Sequence, residues 1–185
     1  WGQLGEGVRA ESDVRLRLSM LGQHGEVIIA TGEPPRLGKP SNPESLEYLL
    51  VHNQGENAAS IYAAVIEPYQ GERRLTGIRR VQVEPAADDI EGIEAVALQI
   101  THADGTVDYI LSAHDGSVER TAGDIRFAAE WAFIRVRDEE AVYAAMAGGT
   151  LLSGYGVELG APAAGREGTI ADLDREMDES NCIYT

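Results

Sequence analysis

Aromatic residues are scarce in this chain, at 6% of its 185 residues, so its core must be built mainly from Val, Ile, Leu and Ala. A single cysteine, Cys182, excludes a disulfide within the chain and any cysteine-rich zinc motif. No signal peptide is present, and no apolar run is long enough to span a bilayer. Because the chain opens on Trp1 rather than Met, we expect it to be a piece of a longer protein.

Lysine is almost absent, since Lys39 is the only one and arginine supplies the other positive charges. Arginine forks can bind carboxylates, but a GC-rich coding bias explains the preference more simply. The formal net charge of -16 predicts repulsion from nucleic acids and anionic membranes, so we expect neither as a partner. Adaptation of the host to salt is a further explanation of the acidity.

Glycine and proline are frequent, with 21 and 7 residues, and they divide the chain into many short segments. Most of these segments either alternate apolar with polar residues or are continuously apolar, and both patterns are typical of β-strands. The length is suited to one domain, which we place at residues 1–170, followed by an acidic tail or last strand at 171–185.

Two strands in the first half, at residues 46–51 and 60–67, are apolar on both faces, which favours burial between layers. Residues 31–45, rich in Pro and Gly, predict a loop between sheets. The sequence therefore predicts an all-β, mostly antiparallel, multi-stranded β-sandwich, with a strand that ends at Pro68. We expect largely buried side chains at six positions: Tyr48, Leu50, Ile61, Val65, Trp131 and Phe133.

The second half reads as a series of hairpins, with turns at residues 103–105 and 138–139. Residues 125–133 predict a long strand whose odd-numbered side chains, from Ile125 to Phe133, share one face. Residues 139–147 are ambiguous: their Ala and Glu content favours a short helix, whereas the hairpin context favours a strand.

Three groups of short motifs carry a resemblance to a known family. The first pairs Tyr48-Leu49-Leu50-Val51 with the phrase from Ser60 to Glu72, which contains Glu67-Pro68-Tyr69; the others lie at residues 30–35 and 148–152. Together they resemble the C-terminal β-sheet region of heparinase II/III-like polysaccharide lyases. The resemblance covers residues 14–170.

The resemblance implies a bacterial protein, located in the periplasm or outside the cell. Lyases of this family cleave uronic-acid glycans by β-elimination, with Tyr and His as base and acid. The matching segments resemble the part of the β region that lies beyond those catalytic positions. The chain would then be a non-catalytic domain whose partner is an N-terminal α-helical toroid domain, with an acidic polysaccharide as ligand. We assign no catalytic residue and expect no depolymerising activity from the chain alone.

The histidines do not cluster in the sequence. His24, His102 and His114 lie at or beside predicted turns, where solvated side chains are the simpler interpretation. His114 and Asp115 form the closest His–carboxylate pair, although neighbours on a strand face opposite ways. His52 follows an apolar strand and is expected to have a backbone partner.

Acidic residues gather in two places, and neither predicts a metal site. The tail from Asp172 resembles the start of a calcium loop, but Met177 replaces the turn glycine and Ile183 the closing glutamate. Asp88, Asp89 and Glu91 suit a surface loop better than a calcium site. We therefore expect no cofactor and no structural metal.

A stand-alone carbohydrate-binding β-sandwich module is the alternative function. Such a module would stack sugar rings on exposed aromatic side chains, and Tyr69, just after Pro68, is the best candidate in a predicted loop. Arg73 and Arg74 follow closely and complete the predicted carbohydrate site. The competing interpretation is that Tyr69 packs over an edge of the sandwich. A row of exposed aromatic side chains on one face would favour the binding module.

Overall fold

The computed structural model describes residues 14–22, 25–33, 45–56 and 58–160. These residues form twelve β-strands and no helix, and every strand pairing is antiparallel. The predicted all-β, mostly antiparallel fold is thus confirmed. The expected tail at 171–185, the boundary at residue 170 and most of the predicted 31–45 loop lie outside the described residues.

Four strands form two separate two-stranded ribbons, in which β1 pairs with β4 and β2 with β3. These strands are β1 (Val14–Leu21), β2 (Glu26–Gly32), β3 (Leu46–His52) and β4 (Ala63–Gln70). The other eight strands form one sheet, and they are β5 (Leu75–Val81), β6 (Val83–Glu84), β7 (Val96–His102), β8 (Val107–Ser112), β9 (Arg120–Ala122), β10 (Ile125–Arg137), β11 (Glu140–Gly154) and β12 (Val157–Leu159).

Strand β10 is the centre of the eight-stranded sheet. It pairs with β11 on one side, and on the other side it pairs first with β9 and then with β8. The tight turn at Asp138 and Glu139, both with positive φ, connects β10 to β11. Since β11 is continuous through residues 140–154, the strand interpretation of the ambiguous 139–147 segment is confirmed.

The side chains of β10 change face partway along the strand. Ile125, Phe127 and Ala129 lie in the hydrophobic core, but from Ala132 onward the even-numbered side chains occupy it. The change occurs where a bulge on β11 faces residues 128–129 and where β10 exchanges β9 for β8 as its neighbour. The extra residue of the bulge is on β11, so β10 keeps its own alternation. The core lies on one face of β10 up to Ala129 and on the other face from Ala132, so Trp131 and Phe133 project away from it.

The burial expected at six positions is therefore wrong in part. Tyr48, Leu50 and Trp131 are exposed, whereas Ile61, Val65 and Phe133 are half-buried. The change of face along β10 accounts for Trp131 and Phe133. The pair on β3 belongs to the two-stranded β2–β3 ribbon, which has apolar side chains on both faces but is not buried between layers.

Pro68 does not end its strand, which is a second correction. Strand β4 continues to Gln70, and Pro68 pairs with Leu16. Proline lacks an N–H donor, but β4 has a strand partner on one side only among the described residues, so the missing donor can face its unpaired edge.

Candidate functional site

The outer face of β10 and β11 carries three neighbouring aromatic side chains, Trp131, Phe133 and Tyr143, which we call the aromatic row. The rings of Trp131 and Phe133 are nearly parallel, at 9°, with centroids 6.4 Å apart. Tyr143 lies on the other side of Phe133, with a centroid distance of 5.8 Å and a tilt of 60°. Trp131 is 42% and Tyr143 58% exposed, so the row is open to solvent.

Small side chains flank Trp131 on both neighbouring strands. Directly paired residues of antiparallel strands project to the same face, so the pairing identifies what stands beside each ring. Trp131 has Ser112 on β8 to one side and Ala147 on β11 to the other. None of these pairings places a bulky side chain next to Trp131, and its ring is available to a flat ligand.

A polar group continues the outer face beyond Phe133. Arg135 donates from Nε to Oδ1 of Asp108 at 2.7 Å and from Nη2 to Oδ2 at 2.8 Å, a bidentate pair. His102 lies 2.8 Å from the same Oδ2 through its Nε2. The Arg135 guanidinium carbon also lies 5.7 Å from the centre of the Phe133 ring, within range of a cation–π contact.

The ion pair fixes the charges of this polar group. Burial alone would raise the pKa of Asp108, but hydrogen bonds and charges from Arg135 and His102 outweigh it and lower the pKa below its usual value. The Asp108 hydrogen bond in turn raises the pKa of Arg135. Both groups are charged at neutral pH, and together they carry no net charge.

The sequence-predicted carbohydrate residues lie elsewhere, on the β1–β4 ribbon and the turn after it. Tyr69 is half-buried within β4 rather than in a loop, while Arg73 and Arg74 are exposed. The buried Glu67 accepts hydrogen bonds from the backbone N–H groups of Arg74 and Leu75, at 3.0 and 2.9 Å. No described contact joins these residues to the aromatic row, and the proposed role of Tyr69 stays a prediction.

The described histidines have side-chain partners that the sequence did not indicate. His102 ends strand β7 and lies directly before the turn at residues 103–105, as expected. His114 lies 2.7 Å from Asp89 through its Nδ1, rather than sharing a site with Asp115. His52 lies 3.8 Å from the carboxylate of Glu26. His24 lies outside the described residues.

The acidic loop before β7 also differs from the expectation of a solvated surface loop. The carboxylate of Asp88 is fully buried and accepts from the backbone N–H groups of His114 and Asp115, at 2.6 and 2.7 Å. It is also paired with the buried Arg120. Asp88 thus connects two loops of the sheet.

Within the described parts of the chain, no group of three or more His, Cys, Asp or Glu side chains is arranged to hold a metal ion.

An open groove of about 770 Å³ is lined in part by Val136 of β10 and by Tyr109 and Tyr155. Their rings stack with centroids 5.4 Å apart, and the two hydroxyl oxygens lie 2.7 Å from each other. Burial raises the pKa of Tyr155, and the contact with Tyr109 adds to that shift. The raised pKa keeps the Tyr155 hydroxyl protonated at neutral pH, so it is not an activated nucleophile.

Sequence reasoning missed the aromatic row because residues 125–136 of β10 are largely apolar on both faces. The odd-numbered series through Trp131 looked like the core side, while Ala132, Ile134 and Val136 formed an equally apolar series. Nothing within β10 itself distinguishes the two series, because both are apolar.

The comparisons with known proteins give no relatives: no family model, no curated protein and no solved structure matches the chain. Among the residues that the structure describes, no helix is long and apolar enough to cross a membrane.

Proposed function

We propose that this chain is a non-catalytic carbohydrate-binding β domain and that the aromatic row is its binding face. The observation that supports this proposal is the row itself: two nearly parallel rings, Trp131 and Phe133, with Tyr143 beside them, on the outer face of the sheet, where Trp131 and Tyr143 are exposed. The apolar C–H face of a sugar ring stacks on such a platform. Exposed aromatic side chains on the surface of a folded domain are also typical of binding sites.

The polar group beside the row supplies hydrogen bonds that a sugar requires. Arg135 uses Nε and Nη2 to hold Asp108, which leaves the two N–H donors of Nη1 for a ligand. Ser112, next to Trp131, adds an exposed hydroxyl. A platform with a few fixed polar groups at its margin is the usual composition of a ligand site.

Trp131→Ala tests the proposal, with Tyr69→Ala as the matched control. Binding of the purified chain to a panel of polysaccharides is measured by affinity electrophoresis and, for oligosaccharides, by calorimetry. We expect the wild type to bind a member of the panel, Trp131→Ala to lose at least tenfold in affinity, and Tyr69→Ala to bind normally. Loss in Tyr69→Ala alone would transfer the site to the sequence-predicted residues. An absence of binding throughout would refute the proposal.

A second candidate function, the bracing of a toroid lyase domain, is favoured by the β1–β4 ribbon. One face of this ribbon bears seven apolar side chains and no charged one, and all but Met20 are exposed: Val14, Leu16, Leu18, Met20, Ala64, Ile66 and Pro68. An uncovered apolar face of this kind is typical of a docking surface. In the resembling lyases, the catalytic domain precedes the β region.

This second candidate has its own test. The coding sequence on the N-terminal side of Trp1 is determined, and this chain is expressed joined to it. A helical segment with Asn, His and Tyr is expected, and hydroxyl-radical footprinting should show Leu16 and Ile66 protected in the joined protein. Val142, exposed on β11, is the control that should stay reactive. Unchanged labelling of Leu16 and Ile66 would exclude the bracing function.

A further inference from the structure

The arginine charges beside the aromatic row are compensated. The two arginines on the outer face of β10 are Arg135, which is held by Asp108, and Arg137, whose Nη2 lies 3.6 Å from Oδ2 of Asp104. A ligand on the rings therefore meets ion pairs and no uncompensated cation of β10.

Recognition of an acidic sugar requires the opposite arrangement. A uronate carboxylate or a sulfate group binds best to an arginine fork or a lysine whose charge is available. Here the fork edge of Arg135, formed by Nε and Nη2, is already occupied by the Asp108 carboxylate. The net charge of -16 adds long-range repulsion of a polyanion.

We infer that the aromatic row selects neutral polysaccharides over uronate or sulfated ones, an inference that rests on the proposed carbohydrate-binding function. The rings of Trp131 and Phe133 stack on the C–H faces of uncharged sugars. The Nη1 group of Arg135 donates to hydroxyl oxygens, for which the neutral Arg135–Asp108 pair carries no electrostatic penalty. Asp108 is then a specificity-determining residue, because it occupies the fork that would otherwise accept an anion.

The expectation from the family resemblance, an acidic polysaccharide, and the present inference predict different binding on the same panel. Neutral glucans, xylans and mannans are compared with alginate, polygalacturonate and heparin, each at low and at high ionic strength, for the wild type and Trp131→Ala. The inference predicts that the chain binds a neutral polymer. This binding should require Trp131, and its affinity should change less than twofold between low and high salt. Ionic contacts with exposed groups, by contrast, weaken as salt screens them.

Binding of an acidic polymer that depends on Trp131 and weakens with salt, without neutral binding, would overturn the inference and leave the proposed function intact. Binding of neither class would overturn both. The variant Asp108→Asn adds a positive test, since it releases the charge of Arg135: we expect it to gain at least tenfold in affinity for the acidic polymers. Because Asp108 is buried, folding of this variant is checked by circular dichroism, and the wild-type comparison decides the matter if the variant does not fold.

Discussion

Arg120 and Asp88 form an ion pair in which both side chains are fully buried, with Nη2 of the arginine 3.2 Å from Oδ1 of the aspartate. The guanidinium also donates to the backbone carbonyl oxygens of Asp115, Val118 and Ala87. One side chain thus holds two loops against the core. A buried pair is costly to desolvate, but it is costlier to break, since the remaining charge is then left without a partner.

Arg120→Ala should therefore destabilise the domain strongly. Removal of one partner from a buried ion pair typically costs about 3–5 kcal/mol in the free energy of unfolding. The matched control is Arg126→Ala, because Arg126 forms an exposed pair with Glu119 at 2.6 Å, and exposed pairs contribute about 0–1 kcal/mol. Urea unfolding of both variants measures the difference, and equal losses would contradict the structural role of Arg120.

Stability should also fall in acid. Burial would raise the pKa of Asp88, but the backbone N–H donors of Asp115, His114 and Asp89 and the charge of Arg120 outweigh it, so the folded-state pKa lies below the usual 3.8. Ionised Asp88 consequently stabilises the fold above pH 3.8, and this contribution is lost as the pH falls through the lowered pKa. The folded-state pKa of Asp108 is also lowered, so the loss of its charge in acid destabilises the fold in the same direction.

The measurement is the free energy of unfolding from pH 7 downward in the wild type and in Asp88→Asn. The wild type should be steady above pH 3.8 and decline below it. The variant should be less stable at neutral pH and should decline less steeply, by up to about 1.4 kcal/mol per pH unit for one proton. Parallel curves would show that Asp88 does not contribute to the acid transition.

The sequence predicted the strands well because alternation and turn residues can be recognised within each segment. The site depends instead on which strands pair and in which register, and no single segment contains that information. Alternation located β1, and turn residues located the hairpin at residues 103–105. The buried face of β10 changes where the strand exchanges β9 for β8 as its neighbour, so the position of Trp131 could not be derived from its own strand. The contact between His102 and Asp108 required the register across that hairpin.

A direct test of this change of face compares Phe127→Ala with Trp131→Ala. The sequence predicts that the odd-numbered side chains of residues 125–133 share one face, which would bury Phe127 and Trp131 alike. In the structure Phe127 is 0% exposed and Trp131 42%. Truncation of a buried phenylalanine costs about 3–5 kcal/mol, so Phe127→Ala should greatly lower the free energy of unfolding. Trp131→Ala should cost about 1 kcal/mol or less, as surface changes do. Comparable losses in the two variants would contradict the change of buried face along β10.

Gly149 should be indispensable at a point where β11 lies close against the backbone of β10. A Cβ atom on Gly149 would overlap the carbonyl oxygen of Ala128 and the Cα atom of Ala129, which are backbone atoms that cannot move aside independently. Gly149→Ala should therefore force the two strands apart, loosen the bulge and destabilise the domain by about 1–3 kcal/mol, as overpacking does.

Gly160→Ala is the matched control, because a Cβ atom there meets nothing within 4 Å and its φ lies outside the left-handed region. Thermal unfolding of the two variants measures the effect, and Gly160→Ala should melt like the wild type. Separation of β10 from β11 would also disturb the geometry of Trp131 and Tyr143. We therefore expect Gly149→Ala to weaken glycan binding even at temperatures at which the variant is folded. A variant with unchanged stability and unchanged affinity would show that the close approach of the two strands is not required.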